Sequence, residues 1–430
     1  MRRFPYLVWG TLSLTTLASG GETPQSPDLL GAALDVLATN HLEPRSREAL
    51  REQALRALLK ELDPYASYLD AEEWARYQEG FSGEYGGVGV RIRIDEDAKL
   101  PQVEYLMLGS AAGSAGVQRG DYILMAAGRS LEGLPFETVI TLLRGAPGSI
   151  VELTLRRAGA TTDIPLQVER RRIAEPSIRG VKRESTGERH YLLDENRGIG
   201  YIRVLRLSDT TVSELEQAIA ALQRQKMKGL ILDLRDSSGG KLRAAVAAAD
   251  LFLDSGRILS IVSREATEVI DATPGRLTDA PLVMLLNEWT VSSSEVLAGA
   301  LADNQRAIAM GRRTFGKGRI QNYHSLGPGL GGMVFSTGTF QRPSGKTIDK
   351  HEPGAKAGEA GIAPDPGMEI ILEKEEDEAL VEEMSRLDGP YVLAAEEQTP
   401  RVRDRVLLRA VEVMDAEIER RAASDRKTGQ

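Results

Sequence analysis

No cysteine occurs in the 430 residues, and histidine occurs only as His41, His190, His324 and His351. The missing thiols exclude disulfides, thiolate–zinc sites and cysteine nucleophiles. They suit an exported protein, although many cytosolic proteins also lack cysteine. Scarce histidine leaves few candidates for an imidazole base. Basic excess is missing too, with 54 Lys and Arg against 63 Asp and Glu and a net charge of −9. No positive footprint marks a nucleic-acid partner. Tandem repeats and long low-complexity segments are absent. Beyond the N-terminus, no run is long and apolar enough to span a bilayer.

The N-terminus carries Arg2-Arg3, an apolar stretch over 4–17, and the small residues Ala18-Ser19-Gly20-Gly21. That order predicts a secretory signal over 1–20 and a periplasmic or other extracytoplasmic location. Left uncut, the segment would anchor the chain to the inner membrane. Leu17-Ala18-Ser19 begins like a lipoprotein signal, but Gly20 stands where the lipidated cysteine would be.

Periodicity divides the rest. Ser26-Pro27-Asp28 opens a helix with Leu30, Leu34 and Leu37 on one face. A second helix covers about 46–62 and stops at Asp63-Pro64. Asp70 and Glu73 form a capping-box pattern for a third, completing a helical region over 27–80. From 82 to 172 the period is two, with one helix over 135–143, predicting a small β-rich domain. From 173 to 372 strands and helices alternate, predicting an α/β core with largely parallel pairing. Residues 373–430 read as a C-terminal helical region. Its charge run at 373–378 reads as a solvated linker or helix face. The fold class is therefore multidomain, mixing α+β and α/β parts.

Two short stretches carry chemistry. Ser292-Ser293-Ser294-Glu295 follows a buried strand and opens a helix. Backbone N–H groups at a helix N-terminus favour developing negative charge, which suits a nucleophile. The same four residues equally spell a capping box. Phe315-Gly316-Lys317-Gly318 puts a lysine in a glycine loop. Desolvated, such a lysine can serve as a base; solvated, it is a surface residue. A Walker loop is excluded because Gly318 and Arg319 follow the lysine. Gly239-Gly240, after the strand 230–234, is either a turn or a close backbone approach to an oxyanion.

Taken in order, 233–240, 292–301 and 311–321 resemble the carboxy-terminal processing (tail-specific) proteases of peptidase family S41. The resemblance extends to Leu62-Asp63-Pro64-Tyr65, to Gly83-Glu84-Tyr85-Gly86-Gly87-Val88-Gly89-Val90 and to 115–124, the last two resembling parts of a PDZ domain. It closes at Ala363-Pro364-Asp365-Pro366 and covers about 28–368. It implies a serine endopeptidase with Ser292 as nucleophile, Lys317 as base and Gln321 orienting the lysine. Gly239, Gly240 and Ser293 would supply the oxyanion hole, and Asp303 structural support. Protein or peptide C-terminal tails would be the partners. Gly87, Val88, Gly89 and Val90 would hold the tail's carboxylate, and the tail would pair beside 88–92. Val139, Leu142 and Leu143 would shape the pocket for its last side chain. No metal or cofactor is implied. Substrate and oligomeric state are not specified.

Three positions depart from the family pattern. Ser237-Ser238 replaces Asn-Pro, implying a looser oxyanion loop; Trp289-Thr290-Val291 replaces smaller residues; Arg313 replaces an acid. None removes a proposed catalytic group; the altered serine loop favours the rival reading of a PDZ scaffold with weak or no catalysis, and the intact Ser292, Lys317 and Gln321 argue against it. A Ser–His hydrolase through His324 or His351 is a second rival.

Overall fold

The computed structural model describes residues 28–428, apart from 83, 108, 158, 175, 184–187, 353, 355–357 and 389–397. The predicted signal at 1–20 lies outside the described residues. Two compact units result, residues 1–64 and 65–430.

In the first unit, helix Leu29–Asn40 is capped by Asp28, whose carboxylate accepts the Gly31 N–H at 2.8 Å. Helix Arg47–Leu62 is capped by Ser46. The third helix predicted for this region, Ala71–Ser82, belongs to the second unit. Its capping box is complete: Asp70 N–H donates to Glu73 Oε2 and Glu73 N–H to Asp70 Oδ1, both at 2.9 Å.

The β-rich domain is an antiparallel sheet in the order Val90–Asp95, Leu100–Leu106, Tyr122–Ala126, Ile150–Arg156, Asp163–Glu169. Helix Phe136–Leu143 closes it, burying Val139 and Leu143 against Ile123, Leu153 and Leu155. Strand Glu84–Gly87 pairs with Arg171–Ala174, so the block's two ends meet.

The α/β core is built on four adjacent parallel strands: Ile199–Val204, Gly229–Asp233, Leu282–Leu286 and Ile308–Gly311. All residues of the first three are buried, as continuous apolar runs require in a sheet covered on both faces. Helices Thr211–Arg224, Leu242–Asp250 and Ser293–Asp303 contribute to the core on one face. On the other, Met414 and Ile418 of helix Arg405–Thr428 lie so close that a Cβ on Gly229 would stand 2.2 Å from Met414 Sδ. A second, antiparallel sheet was not expected. Its order is Ser67–Leu69, Gly332–Gln341, Arg257–Ser263, Thr267–Asp271, with Arg319–Ser325 also paired to Gly332–Gln341.

A buried ionic cluster ties the core to its C-terminal region. Asp233 accepts from Arg235 Nη2 at 2.6 Å and from the Tyr201 hydroxyl at 2.8 Å. Arg235 also reaches Asp404, and Arg203 reaches Asp236 and Asp388. Burial pushes the Asp233 carboxyl up, but Arg235 and Arg203 outweigh it and hold it at about 2, against 3.8 ordinarily. A depressed carboxyl stabilises the fold above its unfolded value. That contribution, about 2 kcal/mol at roughly 1.4 kcal/mol per pH unit, drains away as pH falls from about 4 toward 2. Asp233→Asn should flatten this acid limb of urea-unfolding midpoints. It should also cost about 1–3 kcal/mol at pH 7, because Arg235 and Arg203 lose one carboxylate yet keep Asp404, Asp236 and Asp388. An unchanged limb would assign acid sensitivity elsewhere.

Candidate active site

Three neighbouring parallel strands deliver three loops to one end of the sheet. Gly239 and Gly240 follow Gly229–Asp233, Ser292 follows Leu282–Leu286, and Lys317 follows Ile308–Gly311. Sequence-distant residues thereby share a cleft of about 1060 Å³. Ser292, Ser293, Gly239, Gly240, Lys317 and Gln321 all line it. Of the six, Ser293 and Gly239 are buried; Ser292, Lys317 and Gln321 are half-buried.

Ser292 sits at φ 61° and ψ −125°. A non-glycine residue there stores about 1–3 kcal/mol, and the strand-to-helix turn projects its side chain outward. Glu295 Oε2 accepts the Ser292 N–H at 2.9 Å, whereas the Glu295 N–H goes to the Ser292 carbonyl at 2.8 Å. The Ser292 hydroxyl makes no capping bond. Its neighbours are poorly placed to react: Ser293 is 2 % exposed, and Ser294 is fully buried with Oγ 2.8 Å from Ser237 Oγ.

Gly239 explains its own identity. At φ 84°, a Cβ on it would stand 2.7 Å from the Val291 carbonyl oxygen and 3.1 Å from Ser293 N. The Gly239 carbonyl accepts from Leu207, and the Lys241 N–H donates to the Leu207 carbonyl, both at 2.8 Å. The N–H groups of Gly239, Gly240 and Ser293 enter no backbone hydrogen bond among the described residues. Of the two serines that depart from the family pattern, Ser238 is exposed and Ser237 is tied down. Ser237 is buried, its N–H donates to Leu234, its carbonyl accepts from Val291, and its hydroxyl meets Ser294.

Lys317 Nζ donates to Gln321 Oε1 at 2.6 Å, and Gln321 Nε2 donates to the Tyr65 carbonyl at 2.6 Å. The Tyr65 carbonyl needs a donor, so it fixes the amide with its oxygen toward the lysine. The Tyr65 ring centroid lies 5.1 Å from Nζ. Gly318 is required here, since a Cβ would stand 2.5 Å from Asp349 N.

Glu295 joins the two halves. Fully buried, it also accepts from the Thr314 hydroxyl at 2.6 Å, Gly316 N–H at 2.7 Å and Lys317 N–H at 2.8 Å. Burial raises its carboxyl above the ordinary value, and these donors pull it back. Sequence reasoning saw only a cap. Nor did it find Tyr65 as Gln321's anchor, or Tyr77 and Arg206 on the cleft wall. Asp303 does bind Arg342 and Ser344, a structural task. Arg313 donates to the Ala360 carbonyl. His324 and His351 do not line the cleft; they pack on Phe335 and Tyr65.

In the β-rich domain, Val90–Asp95 is the edge strand of its sheet among the described residues. The carbonyls of Val88 and Gly89 are tied to Ala112 and Met107, and Gly89 has φ 79°. Gly87 and Val88 are buried. The expectation for the helix needs correction. Val139 and Leu143 are 0 % and 4 % exposed and serve the core; only Leu142 of the three stays half-exposed.

A strained serine beside a glycine loop, with a lysine in the same cleft, is an arrangement suited to acyl transfer by a serine peptidase. The model for peptidase family S41 matches residues 198–367, and that for a PDZ domain matches 102–157. A carboxy-terminal-processing protease of Bartonella bacilliformis is 32% identical over 351 residues, 80% of this chain and 74% of the relative. A carboxyl-terminal-processing protease of Picosynechococcus is 34% identical, covering 70% and 69%. The solved photosystem II D1 C-terminal processing protease is 29% identical, covering 77% and 84%, with a TM-score of 0.45. The chain belongs to peptidase family S41, the carboxy-terminal processing serine proteases, and carries a PDZ domain.

Proposed function

We infer that this peptidase works through a Ser292–Lys317 dyad on the C-terminal regions of protein substrates. The relay from Lys317 through Gln321 to the Tyr65 carbonyl, in one cleft with Ser292, carries the reading. Neutral Lys317 Nζ takes the Ser292 hydroxyl proton as Oγ bonds to the scissile carbonyl carbon. The carbonyl π pair moves onto oxygen, facing the N–H groups of Gly239, Gly240 and Ser293. Collapse breaks the C–N bond, and the lysine returns its proton to the leaving amine. Water, deprotonated by Lys317, then bonds to the acyl carbon, and the lysine returns that proton to Ser292 Oγ as the ester C–O bond breaks. A fluorophosphonate probe should label Ser292, and mass spectrometry should place the adduct there. An adduct on Ser293 or Ser294 would move the nucleophile; no adduct and no cleavage would favour a tail-holding scaffold.

The PDZ domain would hold the tail's free carboxylate at Gly87, Val88, Gly89 and Val90, with the tail as an added strand on Val90–Asp95. Its final side chain would be apolar. Amidating a peptide's C-terminus removes that charge and should slow sub-saturating cleavage about five- to tenfold, the scale of one charge-assisted hydrogen bond. Equal rates would detach tail selection from this domain.

The N-terminal pattern supports export, by a signal cut before Gly21 or kept as an inner-membrane anchor. N-terminal sequencing of protein recovered from the extracytoplasmic fraction tests this; retention in the cytoplasm would refute it.

A further inference from the structure

Beside the cleft lies a second hollow of about 690 Å³. The two share Arg206 and Ser238, so the hollow continues the cleft past the oxyanion loop. Its size falls within the range of ligand pockets, roughly 300–1000 Å³. Leu205, Trp289, Val291 and Val381 give it apolar walls. Of the charges that line it, Arg203 is paired, reaching Asp236 at 3.2 Å and Asp388 at 2.9 Å. Yet Trp289 is 56 % exposed and Val381 39 %, an aromatic and an aliphatic face with little covering them.

One wall comes from outside the family-matched segment. Val381, Ser385 and Asp388 sit on helix Lys374–Asp388, beyond residue 367. Ion pairs from Asp388 to Arg203 and Arg179, and from Asp377 to Arg312, hold that helix against the core. The PDZ domain touches the same helix. Arg91 Nη1, on the edge strand, donates to the Ser385 carbonyl at 3.4 Å, and Tyr105 packs on Leu387. The hollow therefore lies on the PDZ side of the cleft.

We propose that this hollow is a specificity subsite for an apolar side chain of the substrate, on the C-terminal side of the cut. The assignment rests on the peptidase reading above. A tail held at the PDZ edge strand runs back toward Ser292, and the residues between the cut and the tail's end pass this side of the cleft. An aliphatic or aromatic side chain there would cover Trp289 and Val381. A charged one would lose hydration against these apolar walls.

The test is digestion of unfolded casein by the full chain, with every cut site mapped by mass spectrometry. Wild type should enrich apolar residues within two positions on the C-terminal side of the cut, at least threefold over their frequency in casein. Trp289→Ala and, separately, Val381→Glu should lower that enrichment to near one. Frequencies are compared within each digest, so a change in total activity does not affect the readout, and melting curves confirm that both variants fold. A flat wild-type profile, profiles unchanged in both variants, or enrichment confined to the N-terminal side would overturn the subsite while leaving the peptidase intact. No cleavage by wild type would bring down both.

Discussion

Lys317→Ala should yield a folded protein whose peptide turnover falls by roughly four to six orders of magnitude, the loss seen when a nucleophile loses its base. Half-buried Lys317 contributes a stem against Tyr65 and one hydrogen bond to Gln321, so melting should shift little. Lys317→Arg should be equally inert, because a guanidinium keeps its charge at working pH and cannot accept a proton. A purely structural lysine would tolerate that exchange far better. Wild-type rate should climb about tenfold per pH unit on the acid side, as more of the lysine becomes neutral. Gln321→Ala frees the ammonium from its acceptor and should give an intermediate loss, mainly in kcat. Steady-state kinetics beside circular-dichroism melts check all three variants. Near-wild-type turnover in either lysine variant would remove the dyad.

Much of the architecture was legible because it is written in local periodicity. Continuous apolar runs at 230–234 and 282–286 predicted buried parallel strands, and both are fully buried. Asp70 with Glu73 predicted a helix start, and both reciprocal hydrogen bonds exist. The antiparallel second sheet was not legible. Its strands pair across long separations, Ser67 with Val334 and Ser260 with Gln341, and no short window carries that register. The charge run at 373–378 is the solvated helix face that its pattern predicts, with Glu373, Lys374, Glu375 and Glu378 exposed, but its ion-pair partners were not legible. Glu376 and Asp377 look solvated along the chain, but their partners are Arg405 and Arg312.

The site shows the same division. Motif order brought Ser292, Lys317, Gln321 and the glycine pair to one place, and the structure lines one cleft with them. What motifs could not give was contact. Tyr65 holds Gln321 through a backbone carbonyl, which any residue there could offer. The strain at Ser292 is a dihedral fact with no signature in a serine run. Val139 and Leu143 show the opposite error, since apolar residues suited to a pocket are equally suited to a core.

Glu295→Gln should cut kcat about a hundredfold with KM little changed, although the side chain keeps its shape. The carboxylate gathers four donors: Ser292 and Lys317 N–H at Oε2, Gly316 N–H and the Thr314 hydroxyl at Oε1. A glutamine must turn its NH₂ toward one pair. Facing Ser292 and Lys317, it opposes two backbone donors. Facing Thr314, it still orphans the Gly316 N–H, because the hydroxyl alone can rotate. Each orphaned donor costs about 1–3 kcal/mol, partly offset because no charge is buried any longer. Stability should therefore move less than rate. The rate suffers because this one carboxylate sets the spacing between the Ser292 and Lys317 backbones, and a 1 Å misplacement can cost about a hundredfold. The pH dependence supplies an independent check. Burial raises the Glu295 carboxyl in the folded state. A raised carboxyl favours folding at low pH, and that contribution fades as pH rises through 4.5 toward the folded value, opposite to Asp233. Glu295→Gln should remove this slope from the urea midpoints. Wild-type kcat in the Gln variant, or a hundredfold loss that lies wholly in KM, would show that Glu295 does no more than cap its helix.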